Sequence, residues 1–231
     1  MDRSGANERL GVTVETAPMR EMAAVTTSLR VERWDEEQSE WTLGKLSRDT
    51  AWPADKAITP ALFGRYGVKP YLVTQEDNCN LVTLAGWAAF LGGVGGTSIT
   101  NKFSSTYGRI GIGTSTTTPT AADTTLGGDT GGSSTTSYFA LAGVAPTITT
   151  SAAPATWVLA ASFSGSVATF AWQEFGTDNY NSSGVTATGL GGNLVFINHG
   201  LSNQGTKTSG QTWTATETIS FGNPSGSGTV N

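Results

Sequence analysis

The chain has one cysteine, Cys79, and one histidine, His199, among 231 residues. A single thiol closes no internal disulfide and builds no thiolate metal site. A single imidazole leaves little material for histidine-based catalysis. Charge is scarce as well: Asp, Glu, Lys and Arg make up 13% of the sequence, about half the usual share. Thirteen Lys and Arg face 18 Asp and Glu, for a net charge of -5. Direct nucleic-acid binding needs clustered cations, so it is not expected. No apolar run approaches the ~18 residues of a membrane-spanning helix, so no membrane partner is expected either. The start, Met1-Asp2-Arg3-Ser4, is charged and has no apolar stretch behind it, unlike a secretory leader.

Small residues are abundant. Gly, Ser and Thr together supply about two residues in five. Gly loses much backbone entropy in a helix, and Thr, branched at Cβ, suits a pleated strand. Seven Trp, nine Phe and five Tyr argue against disorder. The composition predicts a mainly β chain with long Gly/Ser/Thr loops.

The charges divide the chain near residue 80. Beyond it stand only Lys102, Arg109 and Lys207, with Asp123, Asp129, Glu174, Asp178 and Glu217. Two regions are expected: a charged, aromatic-rich arm over 1–79 and a Gly/Ser/Thr-rich β domain over 80–231. In the arm, Leu29 to Trp34 and Glu40 to Leu46 flank the polar stretch Asp35 to Ser39, which reads as a β-hairpin. Its acidic tip Asp35-Glu36-Glu37 lacks the spaced ligands of a calcium loop and reads as solvated charge. Thr59-Pro60 fits the start of a short helix over 59–63.

The segment 80–91 is the main helix candidate. Leu81, Leu84, Ala88 and Leu91 share one face, Asn80 can cap the start, and Gly92-Gly93 can end it. Arg109 to Gly113 reads as a strand with even-numbered positions in the core. Gly111 and Gly113 then signal close approach of another backbone. Residues 114–137 are expected to be an extended loop clinging to a sheet or a neighbouring subunit. Residues 155–163 and 167–175 form the strongest hairpin pattern, with Trp157, Leu159, Ala161 and Phe163 facing Phe170 and Trp172. Asn193 to Asn198 is another strand. Along 212–221, Trp213, Ala215, Glu217, Ile219 and Phe221 alternate with a Thr/Ser row suited to a solvated or subunit-facing surface. Short strands at this spacing predict a β-sandwich, jelly-roll-like, with one short helix and an extended N-terminal arm containing a hairpin.

Catalysis usually needs convergent titratable groups, and the pattern shows none. His199, in Asn198-His199-Gly200, reads as a turn residue. No Gly-x-Ser-x-Gly elbow is present; Ser162-Phe163-Ser164-Gly165-Ser166 is the nearest approach. Glu174 near Trp172 could suit a sugar site, but its place predicts a solvent-facing strand end. The run Gly92 to Gly96 lacks the Lys and Ser/Thr of a phosphate loop. Cys79 reads as a small side chain near a turn, and Asn181-Ser182-Ser183 is only a short glycosylation-like match. No catalytic, cofactor-binding or metal site is expected. The arm's rings Trp34, Trp41, Trp52, Phe63, Tyr66 and Tyr71 are the candidate assembly contacts. So few aliphatics accompany them that the rings need partners.

Several stretches, in order, resemble a family of tailed-bacteriophage virion structural proteins, small β-rich decoration, minor capsid or tail-fibre-like subunits. They are Asn80 to Gly86, Tyr107 to Ser115 with its Ile110-Gly111-Ile112-Gly113 core, Ala121 to Leu126, Phe170 to Phe175 and Gly205 to Trp213. The chain departs where Thr114 replaces a common Asp and His199 a common Arg. The resemblance implies a non-enzymatic virion part. It leads to the expectation of a capsid decoration or minor capsid subunit, gripping the major capsid protein or other virion proteins through its arm. Such a protein would be made in the host cytoplasm and sit on the capsid exterior as a homo-oligomer, a trimer being favoured. The alternative is a tail-fibre module meeting host glycan through Trp172, Glu174 and Trp213.

Overall fold

A computed structural model describes residues 24–49, 58–77, 79–94, 107–129, 135–142, 146–150, 154–180 and 193–222. The protein is mainly β: among the described residues there are two five-stranded antiparallel sheets and three helices. The first sheet runs β2 (Leu72–Asp77), β1 (Ala24–Trp34), β10 (Thr212–Gly222), β7 (Ala155–Phe163), β6 (Thr147–Thr149). The second runs β3 (Asn80–Val82), β9 (Asn193–Thr206), β8 (Ala171–Tyr180), β4 (Gly108–Gly113), β5 (Ser137–Leu141). Both sheets feed one core: Leu29, Val31, Leu159 and Ala215 from the first, Ile110, Ile112 and Phe175 from the second. Inside it Trp172 meets Phe163 and Trp213 edge-on, with ring centroids 4.9 Å apart in each case.

The described part of the N-terminal region is woven into the first sheet. β1 pairs with β10 over its whole length, from Ala24↔Gly222 to Trp34↔Thr212. The hairpin expected over 29–46 is instead a strand followed by helix α1 (Glu36–Leu46). Asp35 and Gln38 form a capping box: Asp35 Oδ1 accepts from the Gln38 backbone at 2.8 Å, and Gln38 Oε1 accepts from the Asp35 backbone at 3.2 Å. Glu36 and Glu37 in the first turn and Lys45 in the last suit the helix dipole. The acidic stretch is therefore a helix start, not a hairpin tip. The expected helix at Thr59-Pro60 is α2 (Pro60–Arg65), and its Phe63 stacks on Trp34 at 4.0 Å. Together α1 and α2 cover one end of the first sheet's outer face. There the Ser39 hydroxyl accepts from the Thr212 backbone at 3.0 Å, and Thr212 and Thr214 are fully buried. This part of the Thr row is covered by the chain itself.

The helix expected from Asn80 begins later, as α3 (Leu84–Val94). Residues Asn80–Val82 pair instead with β9, and the Thr83 hydroxyl accepts from the Gly86 backbone at 3.0 Å. The packed face also differs from the expected one. Gly86 lies so close to the Ile197 carbonyl that a Cβ there would overlap it. Ala89 is buried, and Phe90 meets Phe221 at 5.2 Å. Close approach selects the small residue, and Leu84 and Leu91 are left 65% and 66% exposed.

The hairpin pattern over 155–175 is a crossing between sheets. β7 pairs with β10 and β6, whereas β8 pairs with β4 and β9. Both strands send apolar side chains into the same core because they face each other across it. The connection turns through Gly165 and Ala168, with φ of 58° and 52°. Lys207 Nζ donates to the carbonyls of Gly165 at 2.8 Å and Val167 at 3.0 Å. Trp172 Nε1 donates to Ala168 at 3.0 Å. No helix among the described residues is long and apolar enough to cross a membrane.

Candidate functional site

Among the described residues, a group of buried ionisable side chains lies on the outer face of the second sheet. β4 presents Arg109, Gly111 and Gly113 there, opposite Asp178, Gly176 and Glu174 of β8. β9 adds His199, opposite Gly176. The pairing of β8 with β9 slips between Trp172 and Glu174. Trp172 and Phe175 both enter the core across this irregularity, so Glu174 points to the opposite face from its aromatic neighbours. This parity change hides Glu174 from a period-two reading.

The His199 ring lies between two carboxylates: Nε2 is 2.9 Å from Glu174 Oε2 and Nδ1 is 2.6 Å from Asp123 Oδ2. Glu174 is 1% exposed and also accepts three backbone N–H bonds, from Ser115 at 3.1 Å and from Gly127 and Gly128 at 2.7 Å each. A Cβ on Gly113 would overlap its carboxylate, so that glycine makes room for a side chain rather than for another backbone. Asp123 is held in turn by Thr120, whose N–H donates at 2.8 Å and hydroxyl at 2.6 Å. The loop over 114–129 thus clings to the sheet, as expected, through a carboxylate–imidazole–carboxylate clasp.

Burial opposes protonation of His199, but the hydrogen bonds and charges of Glu174 and Asp123 outweigh it and raise its pKa. For Asp123, burial pushes the pKa up, yet the Thr120 and His199 hydrogen bonds bring it below the ordinary value. The geometry and the raised pKa favour a protonated His199 ring bridging Glu174 and Asp123. Both ring nitrogens are engaged by acids. A polar cleft of about 370 Å³ opens beside it, lined by Asp123, Thr124, Thr125, Asp129 and His199. Among the described residues no group of His, Cys, Asp and Glu is placed to hold a metal ion.

Arg109, Asp178 and Glu217 are buried as well. Arg109 and Asp178, both 0% exposed, form a two-pronged pair at 2.9 and 2.5 Å, with the guanidinium over Phe139 at 4.7 Å. Glu217 lies inside the core, where Asn80 Nδ2 donates to it at 2.5 Å and Asn198 Nδ2 also donates. The Asn198 amide oxygen accepts from the Thr177 hydroxyl at 2.6 Å. Burial pushes the Glu217 carboxyl up to about 8, so it is mostly a neutral acid at pH 7.

These placements change several expectations. His199 is a buried strand residue, 2% exposed, not a turn residue, and Glu174 is a buried centre, not a solvent-facing strand end. Trp172 and Trp213, 1% and 2% exposed, are core residues. The glycan alternative loses its contact set, since a ring enclosed between sheets offers no face to a sugar. Of the candidate assembly rings, Trp34 and Phe63 are enclosed by the chain itself, while Trp41 and Tyr71 are 46% and 49% exposed. Tyr66 meets Trp41 edge-on at 6.4 Å and donates to Asp49 at 2.8 Å. Trp52 and the Asn181-Ser182-Ser183 match lie outside the described residues. Cys79 is half-buried, its thiol pushed up to about 11 by burial and so unreactive. No protein-family model, curated protein or solved structure matches this chain.

Proposed function

We propose that this chain is a non-enzymatic structural subunit of a tailed-bacteriophage virion, a capsid decoration or minor capsid protein that binds the shell. The observation that carries the proposal is the outer face of α3. The helix has no charged residue, and its Leu84, Trp87 and Leu91 are exposed, with Leu81 of β3 also exposed. A helix apolar on all sides is at home when covered, and an uncovered face of this kind marks a contact surface. Trp41, Tyr66 and Tyr71 supply a second group of rings for assembly. The ordered sequence resemblance supports the virion setting. The closed clasp around His199 supports a structural role, because its proton-holding groups are bound to one another.

On this reading the protein is made in the host cytoplasm and joins the capsid exterior as a homo-oligomer, with a trimer the arrangement to test. A double variant, Leu84→Ser with Leu91→Ser, should keep the fold, because both side chains are largely exposed. It should lose incorporation into virions, measured by quantitative mass spectrometry of purified particles. Absence of the wild-type chain from virions, or undiminished incorporation of the variant, overturns the proposal. Light scattering on the purified chain tests the oligomer.

A further inference from the structure

A polar group bridging the sheets brings a hydroxyl, a carboxamide, a guanidinium and a carboxylate together. Thr74 and Glu76 stand on β2 opposite Val31 and Leu29 of β1, so they share the inward face of that edge strand. Gln204, 5% exposed, reaches them from β9 of the other sheet. Its carbonyl oxygen Oε1 accepts from Arg33 Nη2 at 2.5 Å and from the Thr74 hydroxyl. Its amide Nε2 donates to Glu76 Oε1 at 3.0 Å and to Ser202 Oγ at 2.5 Å. The guanidinium can only donate and a carboxylate only accepts, so these partners fix which end of the carboxamide is oxygen. Arg33 is itself held, 7% exposed, over the Trp213 ring at 4.4 Å.

We infer that Thr74 and Gln204 form an intramolecular ester that covalently joins the two sheets. The Thr74 oxygen adds to Gln204 Cδ, and the negative charge that develops on Oε1 is stabilised by the Arg33 guanidinium already bonded to it. The Thr74 hydroxyl must first turn its proton away from Oε1; Glu76, two residues along the same strand face, then takes that proton and delivers it to Nε2, which it contacts at 3.0 Å. The C–N bond breaks, ammonia leaves, and a C–O bond remains. One proton moves from oxygen to nitrogen and nothing is oxidised or reduced, so no co-reactant is needed. The two reacting groups are held by separate strands, which supplies the proximity that ordinary amides lack. The inference is independent of the virion proposal, because it rests on the chemistry of this group alone.

Intact-mass measurement of the denatured full chain decides it. The ester gives a mass about 17 Da below that of the sequence, the loss of one ammonia. A digest should recover the segments carrying Thr74 and Gln204 joined. Thr74→Ser, which keeps a hydroxyl, should retain the mass loss; Thr74→Val should abolish it. A full sequence mass in the wild-type chain overturns the inference. So does a loss that persists in Thr74→Val with the two segments separate, the mark of a cyclised asparagine elsewhere. The wild-type digest and the Thr74→Ser variant keep the test decisive even where Thr74→Val folds poorly.

Discussion

At the scale of single residues, the protein's pH response follows from the buried His199, its partly exposed partner Asp123 and the buried Glu217. His199 has a raised pKa. Its stabilising contribution is complete below the ordinary imidazole value of 6.5 and is lost as pH rises through the folded value. Asp123 has a lowered pKa, so its contribution is present above the ordinary 3.8 and is lost as pH falls through the folded value. Replacing His199 with Ala should cost about 3 kcal/mol near pH 6, since it removes the cation between two acids. Urea unfolding at a series of pH values should show the cost shrinking above pH 6.5. Glu217 behaves differently. Its folded pKa of about 8 stands above the ordinary 4.5, so the folded state holds a proton that the unfolded state releases. Stability should therefore fall steadily as pH rises between those two values. Glu217→Gln keeps the shape without the ionisation and should flatten that slope, gaining of order 2 kcal/mol or more at pH 8. A slope unchanged by the substitution would show that the decline has another origin.

At the scale of elements, polar side chains hold the irregular backbone. Lys207 is buried with its ammonium on the carbonyls of the β7–β8 crossing, and burial brings its pKa down to about 8. Lys207→Met retains the stem but leaves two carbonyls without their donor, and should lower stability by about 2 kcal/mol in thermal or denaturant unfolding. Asp35→Ala removes the α1 cap at a cost of about 1 kcal/mol. Both effects are local, and their sum should be additive because the sites share no partner. Much of this level was legible in the amino-acid sequence. The alternation of 109–113 and 212–221 identifies strands that are present, and Thr59-Pro60 marks a helix that is present. Asp35 with Gln38 three residues on was also a readable helix start, masked by the alternating look of its flanks. The clasp was not legible. Asp123, Glu174 and His199 lie on a loop and two strands far apart in sequence, and Glu174 sits on its face only because of the slip beside Trp172.

At the scale of the whole molecule, the composition break near residue 80 does not coincide with a break in hydrogen bonding. β1 and β2 come from the charged region, yet they complete the sheet built by β10 and β7. A chain lacking 1–79 loses two of five strands, including Leu29, Val31 and Trp34, which are at most 1% exposed. It should be insoluble or lack cooperative unfolding when expressed. A folded, cooperative 80–231 fragment would show that the two regions are separable after all. Among the described residues, Trp41, Tyr71 and the α3 residues Leu84, Trp87 and Leu91 are among the large apolar side chains left exposed once these strands are in place.

A mainly β protein follows from the residues alone, because scarce charge, abundant Thr and period-two apolar patterns act through local backbone preferences and burial on one face. The tertiary structure alone decided which strands share a sheet, which face of α3 is covered, and which acids surround His199. Those choices depend on contacts between segments distant in the chain. The same alternation satisfies a neighbour beside a strand or across the core, and only the assembled sheets select between the two.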